Sequence, residues 1–184
     1  MTRTLFAAAA ASIAVLSLSG CSMMTAMMPH PAAQAAASPV AAPAAATSTQ
    51  TGWEAGQAAY LVWNGERRGW TTTASALQYR REGAVHPQGA QPAATDTVKV
   101  HYQGTFIDGR EFDSSYSRNT PAEFPLNRVI AGWTEGVALM RVGETYHFAI
   151  PADLAYGARW VGGEIPPNST LLFKVELLDV TPAP

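Results

Sequence analysis

The stretch Thr97-Val98-Lys99-Val100-His101-Tyr102-Gln103 decides what kind of fold to expect. Val98, Val100 and Tyr102 alternate with Lys99, His101 and Gln103, so one face is apolar and the other polar. A period of two belongs to a β-strand with one buried face. Outward along the chain, residues 145–150 repeat the pattern with Tyr146, Phe148 and Ile150 on one face. Residues 170–180 extend it with Leu171, Phe173, Val175 and Leu177. Asp108-Gly109 is a turn signal, and residues 111–114 read as another short strand. One segment has a different period. In residues 129–140, Ile130, Trp133, Val137 and Met140 recur at three- and four-residue spacing, which is one face of a helix. Several antiparallel-type strands and one short amphipathic helix predict an α+β domain, with the helix packed on one face of an antiparallel sheet.

Upstream, the signals thin out. Residues 75–81 read as a short strand around Leu77 and Tyr79, and residues 83–94 as a Gly/Pro/Gln-rich loop. Residues 53–70 are ambiguous. Trp53, Tyr60, Trp63 and Trp70 need cover, which suggests that the stretch docks on the domain, and Asn64-Gly65 is a turn signal. Ahead of that the composition changes. The chain has 184 residues, 47% hydrophobic and 14% charged, yet no Lys, Arg, Asp or Glu lies between Arg3 and Glu54. Residues 21–51 are Ala, Pro, Ser, Thr and Met without an aromatic ring, a composition that buries little and reads as a flexible tether whose prolines block a long helix.

The first residues read as an address. A basic start at Arg3 precedes an apolar run over residues 5–18, too short for the roughly 20 residues of a membrane-spanning helix. Leu18-Ser19-Gly20-Cys21 follows and resembles the bacterial lipobox, in which the cysteine is lipidated and becomes the new N-terminus. Cys21 is the one cysteine of the chain, so an intramolecular disulfide and a Cys-rich zinc site are excluded. Acyl chains on Cys21 would anchor the protein to a membrane without a transmembrane helix. Ser22 after it favours the outer membrane by resemblance to Gram-negative sorting rules.

Net charge is −2, which argues against a broad nucleic-acid footprint. There is no phosphate-binding Gly-x-x-x-x-Gly-Lys, no His-Glu-x-x-His and no Gly-x-Ser-x-Gly. What remains is a set of aromatic residues on different elements: Tyr102, Phe112, Phe124, Trp133, Tyr156 and Phe173. They read either as core or as the lining of a concave pocket.

The residues around them resemble a known family. Val100-His101-Tyr102-Gln103-Gly104, Asp108-Gly109-Arg110-Glu111-Phe112-Asp113-Ser114-Ser115, and Val129-Ile130-Ala131-Gly132-Trp133-Thr134-Glu135-Gly136 are similar to blocks of FKBP domains. So are Ala155-Tyr156-Gly157 and the run from Ile165-Pro166-Pro167 to Leu177. The blocks stand in family order across about residues 92–181, and residues 73–82 resemble the lead-in strand of the macrophage-infectivity-potentiator type. The resemblance implies a half-barrel antiparallel sheet wrapped on one short helix. It implies peptidyl-prolyl cis–trans isomerase activity on proline-containing polypeptides, a pocket that accepts macrolides of the rapamycin type, and no cofactor or metal.

It also implies roles. Trp133 would floor the pocket, with Tyr102, Phe112, Phe124 and Phe173 as walls and Val129, Ile130 and Ile165 beside them. The Ile130 N–H and the Tyr156 hydroxyl would hold substrate carbonyls. Asp113 would sit at the edge near the rotating carbonyl, partnered by Tyr102 and Arg118. The sequence departs from the family at Ala122, where many members carry Phe, and at Val161 and Glu164 in the loop after Tyr156. The organisation that follows is a signal segment 1–20, a tether 21–51, an extension 52–91 with a lead-in strand, and an isomerase domain 92–184. A monomer is expected, because the region before Gly52 is too Pro-rich for a long dimerising helix and residues 52–70 are a short stretch. Two rivals stay open: a non-catalytic binding module or chaperone on the same fold, and a structural envelope lipoprotein in which Trp133 is enclosed with no cavity above it.

Overall fold

A computed structural model describes residues 44–184. The signal segment, Cys21 and the tether as far as residue 43 lie outside the described residues. The chain runs α1 (Ala44–Gly65), β1 (Thr71–Thr72), β2 (Gln78–Glu82), β3 (Thr97–Thr105), β4 (Glu111–Ser114), β5 (Ala122–Pro125), α2 (Ala131–Val137), β6 (Thr145–Ile150) and β7 (Leu171–Thr181). All strand pairs are antiparallel, in the order β1-β2-β6-β7-β3-β4. The free edge of β3 is shared: β5 pairs with residues 97–100 and β4 with 103–105.

The long strands follow their alternation. Val98, Val100 and Tyr102 of β3 are buried, as are Leu171, Phe173, Val175 and Leu177 of β7. A bulge corrects the register where the two strands meet: Lys99 faces Asp179 but Val100 faces Leu177, so Leu178 is the extra residue. Beyond it Val180, which alternation alone would turn outward, packs against the core.

The helix α2 is shorter than its apolar spacing suggests. Val129 and Ile130 are extended, and α2 begins after them. At the other end the Leu139 N–H bonds to the Gly136 carbonyl and the Met140 N–H to the Val137 carbonyl, so the last turn is tightened. Met140 nevertheless keeps its place in the core, fully buried. Two glycines seat α2 on the sheet. A Cβ on Gly132 would lie 2.4 Å from Ile150 Cγ2, and one on Gly136 would lie 2.7 Å from Phe148 Cε1.

The sequence reading needs correction at the N-terminal side. The helix α1 begins at Ala44, inside the segment expected to be tether, and runs unbroken through the expected boundary at 51/52. The reason is local: the last proline is Pro43, and from Ala44 to Gly65 there is none, with alanine the commonest residue. Among the described residues α1 thus adds a second α-helix to the one packed on the sheet. The helix ends at the expected Asn64-Gly65 turn, and it docks through polar groups. Asn64 Nδ2 donates to Gln78 Oε1 at 2.8 Å, and Gln78 Nε2 donates to the Leu61 carbonyl at 2.7 Å. Nor is the lead-in strand an appendage, since β2 pairs with β6 along five residues and belongs to the main sheet. The strand β5, which follows Pro121 and ends at Pro125, was not foreseen; four residues are too few for alternation to register.

Candidate functional site

Trp133 projects from α2 into a box of rings. Tyr102 lies 5.4 Å from it at 87°, Phe124 5.6 Å at 85°, and Phe173 5.3 Å at 87°. All three contacts are edge-to-face, the arrangement that aromatic quadrupoles favour. Phe112 closes the set, 5.6 Å from Phe173 and 5.0 Å from the buried Phe106. Gly104 makes the closure possible, because a Cβ there would stand 2.7 Å from the Phe112 ring and 2.9 Å from Phe173.

A cavity of about 770 Å³ opens over this floor. Trp133 is only 4% exposed but lines it, so the reading in which the tryptophan is enclosed beneath no cavity does not fit. Of the residues expected at the site, the cavity gathers Tyr102, Phe112, Asp113, Phe124, Val129, Ile130, Trp133, Tyr156, Ile165 and Phe173. Phe112 and Asp113 are neighbours in β4, and plain alternation would send them to opposite faces. The register explains why both reach the cavity. Gly104 faces Asp113 while Thr105 faces Glu111, which leaves Phe112 as a bulged residue. Bulges re-aim side chains in this way beside functional sites.

Asp113 is the one site carboxylate with built partners. The Tyr102 hydroxyl and Arg118 Nη1 both donate to it, and Arg118 Nη2 donates to Tyr102 Oη at 2.8 Å. Burial pushes the Asp113 carboxyl up, but the two donated bonds and the guanidinium charge outweigh it and hold the group below its ordinary value. The Tyr102 hydroxyl moves the other way, raised first by burial and then by its bond to Asp113, against the opposing effect of Arg118. Arg118 stands where it is expected as the partner of Asp113 and Tyr102; it is exposed and does not line the cavity.

The remaining wall is the segment 155–165, here called the flap. Ala155, Tyr156, Arg159, Val161, Gly162, Glu164 and Ile165 line the cavity from it. The flap reverses on itself through mutual backbone bonds of 3.1 Å between Val161 and Ile165. Gly162 and Gly163 make the reversal with φ of 60° and 73°, where a side chain would be strained. Ala122, by contrast, sits in β5 opposite Val100 and does not line the cavity. Sequence reasoning missed Arg128 as a lining residue. Its only signal was adjacency to Val129, which is no signal of orientation.

Residues 88–178 match the sequence profile of a family described as FKBP-type peptidyl-prolyl cis-trans isomerase. The chain is 51% identical over 123 residues to the FKBP-type 22 kDa peptidyl-prolyl cis-trans isomerase of Escherichia coli K12, a match covering 66% of this chain and 58% of that one. It is 47% identical over 125 residues to the outer membrane protein MIP of Legionella longbeachae, covering 68% of this chain and 53% of that one. The chain thus spans about half the length of the curated relatives it matches. Among solved structures, FkpA from Escherichia coli superposes with a TM-score of 0.70 at 44% identity, over 77% of this chain and 65% of that one. A peptidyl-prolyl cis-trans isomerase from Pseudomonas syringae pv. tomato superposes with a TM-score of 0.65 at 31% identity, over 72% of this chain and 96% of that one.

Proposed function

The chain belongs to the FKBP-type peptidyl-prolyl cis-trans isomerase family, and on that premise we propose that it isomerises X–Pro bonds of polypeptides at the cavity over Trp133. The observation that carries the reading is the cavity of about 770 Å³ with an aromatic floor and one partnered carboxylate at its wall. Rotation about an X–Pro bond is slow because it breaks amide resonance, with a barrier of about 18–20 kcal/mol. No covalent step is required. A site that binds the twisted amide better than either planar form lowers the barrier. A gain of about 5.5 kcal/mol would accelerate the reaction roughly 10⁴-fold.

The residues suit that task. The proline ring is apolar and flat enough to lie on the Trp133 indole between Tyr102, Phe124 and Phe173. The twisted amide is less polar than the planar one, so an apolar enclosure disfavours the ground state more than the transition state. Asp113 is kept ionised by Tyr102 and Arg118 and presents a fixed negative charge beside the carbonyl that swings. The Ile130 N–H and the Tyr156 hydroxyl are the groups for the flanking carbonyls. A macrolide of the rapamycin type would occupy the same floor.

The expected result in a protease-coupled assay on the full-length protein is acceleration of prolyl isomerisation, with kcat/KM at least tenfold lower in Asp113→Ala and inhibition by rapamycin. A folded wild-type protein with no acceleration over background would leave a binding module in its place.

The site of action we propose is the bacterial envelope, on exported proteins, with the protein a monomer held to the outer membrane by lipid on Cys21. The apolar run 5–18, the sequence Leu18-Ser19-Gly20-Cys21 and the likeness to a protein named for the outer membrane support the location and the anchor. Mass spectrometry of the mature N-terminus tests it; an unmodified Cys21 in membrane fractions would remove the anchor. Light scattering tests the monomer.

A further inference from the structure

The flap supplies one wall of the cavity, and the backbone bonds that hold it are short-range ones. Gly157, Gly162 and Gly163 all have left-handed φ, and the space where each would carry a Cβ is open to 4 Å. Its return arm, residues 166–170, leads from Ile165 into β7. The two arms are joined by the Asn168 N–H bonding to the Gly157 carbonyl at 2.8 Å, next to Tyr156.

That return arm is gripped from outside by α1. Trp53 Nε1 donates to the Pro167 carbonyl at 3.1 Å. Asn168 Nδ2 donates to Glu54 Oε1 at 2.6 Å. The Thr170 N–H donates to Gln57 Oε1 at 2.9 Å, in a place where Gln57 is 5% and Thr170 1% exposed. A buried N–H of this kind needs a partner, and a side chain of α1 supplies it. The contacts come from adjacent positions on one helix face and fall on alternate or successive residues of one short arm.

We infer that Trp53 and Gln57 are positioning residues for the cavity: α1 clamps the return arm, and the clamp sets how rigidly Tyr156 and Ile165 face the substrate. The inference rests on the isomerase reading of the cavity and names a control point outside the catalytic blocks. Neither residue touches the cavity. Their effect passes through Pro167 and Thr170 to the flap. A loosened wall weakens substrate binding more than it alters the twisted-amide contacts on the floor.

The test uses the full-length protein and the double variant Trp53→Phe/Gln57→Leu, which keeps an aromatic ring at one position and side-chain bulk at the other but removes the indole N–H and the amide that make the two bonds. Val62→Ala is the control, on the same helix and 66% exposed. The double variant is expected to raise KM about fivefold or more, the low end of couplings between linked sites, with kcat changed less. Backbone amide exchange over residues 157–168 is expected to quicken, with thermal melting showing that the fold persists. Val62→Ala should leave both readouts alone. An unchanged KM in the double variant would overturn the inference, even if exchange quickened, because the clamp would then be structural only. An inactive wild-type protein would overturn the isomerase reading instead. Binding of a proline-containing peptide by the wild type and the double variant would then decide the clamp, equal affinities counting against it.

Discussion

The floor beneath the cavity is Trp133 in edge-to-face contact with three further rings, whereas the seat of α1 is a chain of amide hydrogen bonds. Both are buried and both hold an element on the same sheet. The physical rules differ. Apolar packing is non-directional, and its strength follows the area removed from water. A buried amide contributes little net when paired and costs much when its partner is lost. The floor should therefore be strong, and the seat specific: Asn64 accepts from Arg67 while it donates to Gln78, and Gln78 in turn reaches the Leu61 carbonyl. Even the turn is fitted to it, since a Cβ on Gly65 would stand 2.9 Å from Gln78 Nε2.

The largest effect is expected at the floor. Trp133→Ala removes the ring that Tyr102, Phe124 and Phe173 all pack against, and should cost about 3–5 kcal/mol of stability as read by denaturant unfolding. A loss under about 1 kcal/mol would mean that the three surrounding rings collapse together and that the floor is softer than its geometry implies.

At the seat the expected loss is smaller but of a different kind. Asn64→Ala strands the Gln78 carbonyl oxygen in a buried site and should cost about 1–3 kcal/mol. Replacing both partners, in Asn64→Leu/Gln78→Leu, should cost less than the sum of the two single changes, since no orphaned amide remains between them. Strict additivity in that cycle would break the comparison, because the two amides would then be independent and the seat no network.

The same contrast explains what could be read from the sequence. The strands β3, β6 and β7 were legible because an apolar face at period two is visible in Val98, Val100 and Tyr102 without any partner being known. The helix α2 was legible from Ile130, Trp133, Val137 and Met140, although its ends were not. Amide contacts leave no such trace. Gln57, Asn64 and Gln78 look like surface residues in sequence, so the docking of α1 was sensed only through aromatic residues that needed cover, of which Trp63 stays exposed. The start of α1 was missed for another reason, since the proline-rich composition of the preceding segment was carried eight residues past its last proline, Pro43. The candidate site was legible as motif blocks resembling a family. Their convergence on one cavity depends on the bulge at Phe112, and a bulge is a property of two strands together that neither announces alone.

Asp113 gives the smallest expected effect on stability and so tests whether the cavity wall differs from the floor. Its carboxyl titrates below the ordinary 3.8 in the folded protein, burial being outweighed by the bonds from Tyr102 and Arg118. The folded state thus binds this proton less readily than the unfolded state. The stabilisation is complete above the ordinary value and is lost as the pH falls through the lower folded one. Its size is small, because the Asp113 and Arg118 side chains are 42% and 52% exposed and solvent screens the pair. Asp113→Asn should therefore lower stability at pH 7 by less than Asn64→Ala does, and the difference from wild type should shrink towards pH 3. Activity should behave otherwise, falling in Asp113→Asn at pH 7 while the fold persists. A stability loss equal at pH 7 and pH 3 would mean that the substitution acts through packing rather than charge. The carboxylate would then belong with the floor, and the division between an apolar floor and a charged wall would fail.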